Sequence, residues 1–422
     1  MHLSSLHYRL HLLNLMRLFL PVLIVSAGVL AGCGPGAAPV HDAYGAYNTL
    51  GGSHRDNDFS GLASPPAENL VPMEFPSLSG GFLAPPLELP GGRMALLSRS
   101  DTATTLAVIL RDSILRRYRF PQGEYPFPML AADTGLIYAI TTRGELNAID
   151  MEGTVRWKKP TFQGIAADRI VVPAAPLAFG DGVIAGNSAG GLMRFDRSGR
   201  QIWSVQRGAS PGSFFAGDPA FGLVMGLTHN SYELTDSVSL LDPATGSARW
   251  TKPLPAGRLI YGPIIVGNLI VVGAASSDTN DLRVPYLAAF RSDGSVAWRY
   301  SLSLLPRGIA ADAEGNIYAS CAGTRENAMG GALVSVDSAG GKRWEVNFES
   351  GMPAPPLVSA DYVYVVTRNQ GRTGLFTYSR DGVYANFISI HLHPDVLATM
   401  TLSSGGEVFM AGVDQAVLLR GS

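Results

Sequence analysis

The five tryptophans of this chain recur at a nearly fixed spacing, and this repeat limits the possible folds more than any other feature. Each of them follows a glycine by four residues, and neighbouring tryptophans are 46 to 48 residues apart. Repetition at this period predicts a chain built from copies of one supersecondary unit, which must stack on its neighbours to bury a core. The tryptophans are Trp157, Trp203, Trp250, Trp298 and Trp344.

Within one period, short runs rich in β-branched and aromatic residues are separated by turns that carry glycine or aspartate. The clearest copy has such runs at 128–132, 135–140, 144–150 and 153–157. Runs of this kind predict strands. Four antiparallel strands in this length form a sheet the size of one propeller blade, which cannot bury both of its faces alone. The sequence therefore predicts an all-β propeller with four-stranded blades around an axis.

The repeats predict seven blades, with eight as the alternative. Five blades contain the tryptophans, and a sixth has Asn386 in the tryptophan place. For the seventh, residues 110–119 supply an outer strand with Tyr118 as its aromatic residue, and three runs between 398 and 420 supply the inner strands. Joining the two ends of the chain closes the ring and removes free sheet edges. Eight blades follow if residues 93–109 contribute more to the sheets.

The repeated pattern resembles that of a known family. The clearest copy reads Gly-x-Ile-Tyr-Ala, then Gly-x-Leu-x-Ala-x-Asp, then Gly and Trp. This pattern is similar to the PQQ-like β-propeller repeat over residues 93–422. The chain looks most like the lipidated members that take part in outer-membrane assembly. The resemblance implies that the five tryptophans are structural and pack between adjacent blades, where a large side chain buries much area. Arg291 departs from the family's Asp-x-x-Gly turn, and Asp242 lies one residue further from its glycine.

The N-terminus predicts a lipoprotein signal peptide over residues 1–32. Arg9 and Arg17 precede an uncharged run, 18–32, which is short for a membrane-spanning helix. The end of this run resembles a bacterial lipobox, in which the cysteine becomes lipidated. An ordinary secretory signal with a chance cysteine is the alternative. The lipobox residues are Leu30, Ala31, Gly32 and Cys33.

Lipid attachment at Cys33 predicts a membrane anchor, which is stable when two or more acyl chains are present. Gly34 favours the outer membrane, facing the periplasm, because an aspartate in its place would, by resemblance to enteric bacteria, retain the protein at the inner membrane. Residues 33–92 are rich in proline, glycine and serine, which predicts a flexible tether before a propeller at 93–422. The only other cysteine, Cys321, is expected to be a small buried side chain.

Charge and motifs argue against several activities. The net charge of −2 gives no sign of the basic face that nucleic-acid binding requires. His391 and His393 could supply only part of a metal site, so a solvated loop is the favoured interpretation, and His229 has no obvious partner. Residues 188–191 predict a hairpin turn. The densest basic run is interpreted as a solvated edge and consists of Arg111, Arg116, Arg117 and Arg119.

Dehydrogenases of the PQQ-like family carry PQQ and calcium at the centre of the ring, but this chain has no adjacent cysteine pair and no cluster that we can assign to calcium. We therefore expect no cofactor, no metal and no catalytic residue. The prediction is a membrane-anchored, protein-binding scaffold of the cell envelope that acts through its inter-blade loops. A glycan-binding lipoprotein is the alternative, with Phe214, Phe215 and Tyr232 as candidate exposed aromatics, and a quinoprotein-type enzyme is a further one.

Overall fold

All of the regular structure described for this chain consists of β-strands. The computed structural model describes residues 58–59, 70–74, 81–82, 86–100, 103–110, 113–122, 126–161, 175–187, 190–206, 210–218, 221–228, 235–277, 283–323, 330–348, 355–369, 371–389, 399–402, 407–411 and 416–421. These ranges contain no helix that is long and apolar enough to cross a membrane.

The described strands form eight sheets, numbered here 1 to 8 around the ring. The first strands are β1 (Asp58–Phe59), β2 (Leu70–Glu74), β3 (Gly81–Phe82), β4 (Leu87–Leu89), β5 (Arg93–Arg99), β6 (Thr104–Leu110) and β7 (Ser113–Arg119), of which β3 to β7 make up sheet 1. Sheet 2 contains β8 (Pro126–Ala132), β9 (Leu136–Thr141), β10 (Glu145–Asp150) and β11 (Val155–Pro160). Sheet 3 contains β12 (Leu177–Phe179), β13 (Gly182–Gly186), β14 (Gly191–Asp196) and β15 (Gln201–Gln206).

The remaining sheets repeat this arrangement. Sheet 4 contains β16 (Ser210–Asp218), β17 (Gly222–Thr228), β18 (Ser237–Leu241) and β19 (Ala248–Pro253), and sheet 5 contains β20 (Arg258–Val266), β21 (Leu269–Ser277), β22 (Arg283–Arg291) and β23 (Val296–Ser301). Sheet 6 contains β24 (Leu305–Ala311), β25 (Ile317–Ala322), β26 (Gly331–Val336) and β27 (Lys342–Phe348). Sheet 7 contains β28 (Leu357–Ser359), β29 (Tyr362–Asn369), β30 (Arg372–Ser379) and β31 (Tyr384–Ser389), and sheet 8 contains β32 (Thr399–Leu402), β33 (Val408–Ala411) and β34 (Ala416–Gly421).

Each sheet is ordered from an inner strand near the axis to an outer strand at the rim. Sheets 2 to 7 each have four antiparallel strands in chain order, to which sheet 7 adds β1, and the first strands of consecutive sheets in this set contact one another. The predicted all-β propeller with four-stranded blades is therefore confirmed. Its described sheets number eight, which is the alternative that the sequence left open, because residues 93–110 form the two buried strands β5 and β6.

The two ends of the chain meet in sheet 8, as the sequence predicts, but through a different N-terminal strand. Strand β2 pairs antiparallel with β34, with Val71 opposite Arg420, and takes the outer position. Strand β7, which the sequence analysis assigned to this sheet, pairs with β6 in sheet 1 instead. Hydrophobic segments β5 and β6 complete sheet 1 locally, so β7 needs no partner from the far end of the chain.

Four strands lie within the segment that the sequence analysis interpreted as a tether. Strand β1 pairs in parallel with the inner strand β28, and β3 and β4 pair with β5. The sheets therefore begin before the predicted boundary at residue 93. Leu87 and Leu89 show the reason, because both side chains are buried between sheets 1 and 2.

The core is divided among the interfaces between sheets. Among the described residues, one hydrophobic cluster lies between each pair of consecutive sheets. The interface between sheets 8 and 1 is included, since Phe409 of β33 packs with Met94 and Leu96 of β5. The Thr401 hydroxyl also donates to the Pro86 carbonyl at 2.6 Å across this interface. Contacts between sheets thus run around a complete ring.

Candidate functional site

The ring has two faces that differ in their connections. On the face that we call the turn face, the first strand of each of sheets 1 to 7 joins the second and the third joins the outer strand, as at 133–135 and 151–154. On the opposite face, called the loop face, the second strand joins the third, and the outer strand leads into the next sheet. The longer connections lie there, including 161–176, 229–236 and 390–398. Because loops carry most binding functions, the loop face is the candidate site.

The five tryptophans lie at the rim, between sheets. Each indole N–H donates to a carbonyl in the third-to-outer turn of the next sheet. Each ring also lies against the turn glycine of that sheet, all of which have positive φ. The acceptors are Arg197 at 2.7 Å from Trp157, Pro243 at 2.9 Å from Trp203, Ser292 at 2.8 Å from Trp250, Ser338 at 2.9 Å from Trp298 and Arg380 at 2.9 Å from Trp344.

Buried aspartates at the turn face also connect neighbouring sheets. The carboxylate of Asp133, at the end of β8, accepts the Tyr138 hydroxyl at 2.8 Å and lies 2.9 Å from Arg197 Nε of sheet 3. Burial, together with this carboxylate, raises the pKa of Tyr138 far above its ordinary value. Asp312 repeats the arrangement with Tyr318 at 2.8 Å and Arg380 at 2.7 Å. These carboxylates bind arginines of the neighbouring sheets, so the polar groups of the turn face stabilise the contacts between sheets.

Described parts of the loop face are fixed by polar contacts around the loops. The Thr161 hydroxyl donates to the Gly144 carbonyl at 2.9 Å, and the Asn187 side-chain amide donates to the Thr161 carbonyl at 2.8 Å. Asn187 and Gly191 flank the predicted hairpin, whose Gly190 N–H donates to the Asn187 carbonyl at 3.1 Å. The ends of these loops are therefore held in fixed positions by buried groups.

The buried carboxylate of Asp236 likewise fixes the end of a loop between sheets 4 and 5. One Asp236 oxygen lies 2.9 Å from Arg258 Nη1, and the other accepts the Leu259 N–H at 2.8 Å. Both oxygens thus bind the start of β20. A cavity of about 460 Å³ opens on this face beside the end of β7, lined by Arg119, Phe120, Pro121 and Gln122.

Several predicted site residues lie outside the described residues: Leu30, Ala31, Gly32, Cys33, Arg111, His229, Tyr232, His391 and His393. Phe214 and Phe215 lie in strand β16 rather than in a loop. Cys321 is buried between sheets 5 and 6, and burial raises the pKa of its thiol far above the usual range. A thiol held in this protonated form is not a nucleophile.

Arg116 takes the tryptophan place in β7, a role that was not predicted from the sequence. Arg116 lies opposite Val108, next to the same irregularity in strand pairing that accompanies each tryptophan. Its Nε lies 2.6 Å from Glu152 Oε2 in the turn of sheet 2. An exposed ion pair therefore replaces the indole contact between sheets 1 and 2. The sequence carries no signal for this place, because Arg116 lies 41 residues before Trp157 and Asp112 stands where the repeat has its glycine.

Among the residues that the structure describes, no set of side chains fits a calcium-dependent quinone cofactor. Within the described ranges, no group of three or more His, Cys, Asp or Glu side chains is placed to hold a metal ion. Calcium requires six to eight oxygen ligands, several of them carboxylates. Asp133, Asp236 and Asp312 are buried acids, but each is held by an arginine and by N–H or hydroxyl donors.

Eight radial sheets of four or five strands, with repeated tryptophan and glycine contacts that join sheets 2 to 7, define a β-propeller of the PQQ-like class. The chain belongs to the family described as outer membrane protein assembly factor BamB, whose model matches residues 122–277 and 283–385. No curated protein matches the chain in sequence.

Solved structures share the fold at low sequence identity. BamB from Moraxella catarrhalis is 16% identical with a TM-score of 0.58, over 83% of this chain and 98% of that protein. Quinohemoprotein alcohol dehydrogenase from Comamonas testosteroni is 12% identical with a TM-score of 0.62, over 94% and 84%. A europium-containing methanol dehydrogenase is 13% identical with a TM-score of 0.58, over 88% and 90%. The fold is thus common to an outer membrane protein assembly factor and to dehydrogenases, and the site must distinguish them.

Proposed function

We propose that this protein is a lipid-anchored, non-catalytic scaffold of the bacterial cell envelope that binds partner proteins on its loop face and supports outer-membrane protein assembly. The observation that carries the proposal is the family match over residues 122–277 and 283–385. Anchoring through a lipid on Cys33 is part of the proposal and is supported by the lipobox-like sequence that ends in that residue.

A physical argument supports the choice of face. The sheets are packed against each other around the ring, and buried groups such as Asn187 and Asp236 fix the ends of the loops. The ends of the loops are therefore already ordered before a partner binds, so little conformational entropy of the loops is lost on binding. The turn face offers short turns whose charged groups already bind each other.

The test is crosslinking in the native envelope with the lipidated chain. A photoreactive residue replaces Gln122 or Arg143, which are exposed on the loop face, and the matched controls replace Thr134 or Asp293, which are exposed on the turn face. We expect adducts with a β-barrel assembly component from the loop-face positions only. Cys33→Ala should abolish these adducts by releasing the chain from the membrane.

Two outcomes would count against the proposal. Equal adduct yields from both faces would remove the loop face as the binding site. Recovery of polysaccharide in place of an assembly component would favour the glycan-binding alternative.

A further inference from the structure

Outer strands of the propeller present free edges at the rim, and most of these edges are protected. Unpaired backbone N–H and C=O groups invite another strand to pair, and charged residues or proline on the edge prevent this. Strands β7, β11, β19, β23 and β27 all carry lysine or arginine, and β2 carries Pro72 and Glu74. Among the described outer strands, only β15 and β31 contain neither a charged residue nor proline.

Strand β31 differs from β15 in the apolar residues at its turn-face end. Val383 is 66% exposed and Tyr384 is 57% exposed, the two highest values among the exposed large hydrophobic residues described. In the equivalent turns, the residue after the glycine is Thr154, Arg200, Ser247, Ser295 or Gly341. Sheet 7 alone places a valine there, directly followed by an aromatic residue. Strand β15 is instead preceded by Arg200, whose side chain is 77% exposed.

Among the described residues, the tryptophan contact that joins the rims of neighbouring sheets is not repeated at β31. In sheets 2 to 6 the outer-strand tryptophan is held by the third-to-outer turn of the sheet that follows. In sheet 8 the third and outer strands are β34 and β2, which come from opposite ends of the chain and are not joined by such a turn. The β31 residue in the tryptophan place is Asn386.

We propose that the outer edge of sheet 7, formed by β31 with Val383 and Tyr384, binds an extended segment of a partner protein as an added β-strand. A strand is the ligand that satisfies a row of backbone groups, and an apolar residue of that strand would cover Val383 and Tyr384. This rim surface is separate from the loop face, so the inference does not depend on the function proposed above.

The first test uses the spacing that a strand imposes. A photoreactive residue replaces Tyr384 in one form of the full-length chain and Ser389 in another, at the two ends of β31, and adducts formed in the native envelope are mapped by mass spectrometry. An added strand advances about 3.3 Å per residue alongside β31. The two adducts are therefore expected on one segment of one partner, about five residues apart. The matched control replaces Val296, which holds the position of Tyr384 in sheet 5 and is 45% exposed.

Three results would overturn the inference: adducts on unrelated segments, adducts on a second copy of this chain, or no adduct above the Val296 control. None of these would affect the crosslinks expected from Gln122 and Arg143. The two proposals therefore fail separately.

The second test removes the apolar pair with residues that the fold already accepts. The double variant V383S/Y384K copies Ser295 and Lys342 from the equivalent positions of sheets 5 and 6, so it should fold with an unchanged thermal midpoint. We expect the adduct yield from position 389 to fall at least about tenfold, because two apolar contacts are lost and a charge is placed on the edge. Val296→Lys is the charge-matched control. An unchanged yield in V383S/Y384K would contradict the proposal.

Discussion

The tryptophan and glycine of each repeat act on different sheets. A Cβ on Gly199 would lie 2.8 Å from the ring of Trp157, and one on Gly246 would lie 2.7 Å from that of Trp203. Each glycine thus accommodates the tryptophan of the preceding sheet, although it stands four residues before a tryptophan of its own. The sequence predicts the repeat, and its resemblance to the PQQ-like family implies that tryptophan packs between blades. It cannot show which glycine meets which ring, because that pairing joins residues of different repeats.

Gly246→Ala tests this contact. Gly246 has φ of +70° and would place a Cβ against Trp203, whereas Gly92 has the same φ of +70° and no atom within 4 Å of the added Cβ. Alanine is strained by the backbone at both positions, but only Gly246→Ala forces the ring to move, which costs about 1–3 kcal/mol more. Urea unfolding of the two variants measures the difference. Equal losses of stability would mean that the glycine is required for its φ alone.

Asp196 gives a prediction about pH. Hydrogen bonds from Ser198 and Arg200 hold the pKa of Asp196 at about 2, below its usual 3.8. Since the folded-state pKa is lowered, the ionised carboxylate stabilises the protein above about pH 4, and this contribution is lost as the pH falls toward 2. Asp196→Asn should therefore unfold at lower denaturant than the natural chain at pH 6, with a difference that disappears near pH 2. A difference that stays constant with pH would contradict this assignment.

At the scale of the elements, the interface between sheets 1 and 2 is the exception in the repeat. Arg116 stands in the tryptophan place and binds Glu152 through side chains that are 52% and 62% exposed. Exposed ion pairs contribute about 0–1 kcal/mol. A buried aromatic ring contributes more through its apolar area. The rim contact between these two sheets is accordingly expected to be weaker than the tryptophan contacts that follow it.

Arg116→Trp should restore the contact and stabilise the protein. The turn glycine of sheet 2, Gly153, has φ of +81°, and a Cβ on it would lie 3.9 Å from the Cβ of Arg116, so an indole at position 116 would lie against this glycine as in the other repeats. We expect a gain of about 1–2 kcal/mol from the additional apolar burial, measured by urea unfolding. Arg117→Trp places the same ring at the next position and serves as the control. A loss of stability in Arg116→Trp would mean that this interface is too narrow for an indole.

Sequence patterns predicted the strands of sheets 2 to 7 because each copy repeats the same alternation and turns. Strands β1 to β4 were missed because they are two to five residues long and lie among prolines and glycines, where no period can develop. These segments form strands because they pair with β28, β34 and β5. A local sequence pattern does not specify such pairings.

At the scale of the whole molecule, the ring is closed by one pairing between the two ends of the chain. Strand β2 provides the outer strand of sheet 8, and Phe409 joins that sheet to sheet 1. This arrangement explains why the number of sheets was open from sequence. The count depends on which N-terminal segment pairs with the C-terminal strands, and no local pattern specifies such a pairing.

Two deletions test where the predicted tether ends and the propeller begins. Removal of residues 34–57 leaves every described strand in place, so the unfolding free energy should not change. Removal of residues 34–75 also takes away β1 and β2, which exposes the edge of β34. We expect the longer deletion to lower the thermal midpoint and to promote aggregation, as free edges do. Calorimetry and light scattering measure both effects, and equal behaviour of the two forms would show that β2 is dispensable.

The pairing of β2 with β34 also dictates the order in which the molecule can be completed. During synthesis β2 is made before any complete sheet, whereas its partner β34 follows sheets 1 to 7 in the chain. The four consecutive strands of each of sheets 2 to 7 can pair as the chain grows, but β2 has no partner strand until β34 has been made. Completion of the ring is therefore the step at which a newly made chain depends most on protection from proteases and from other unfinished chains.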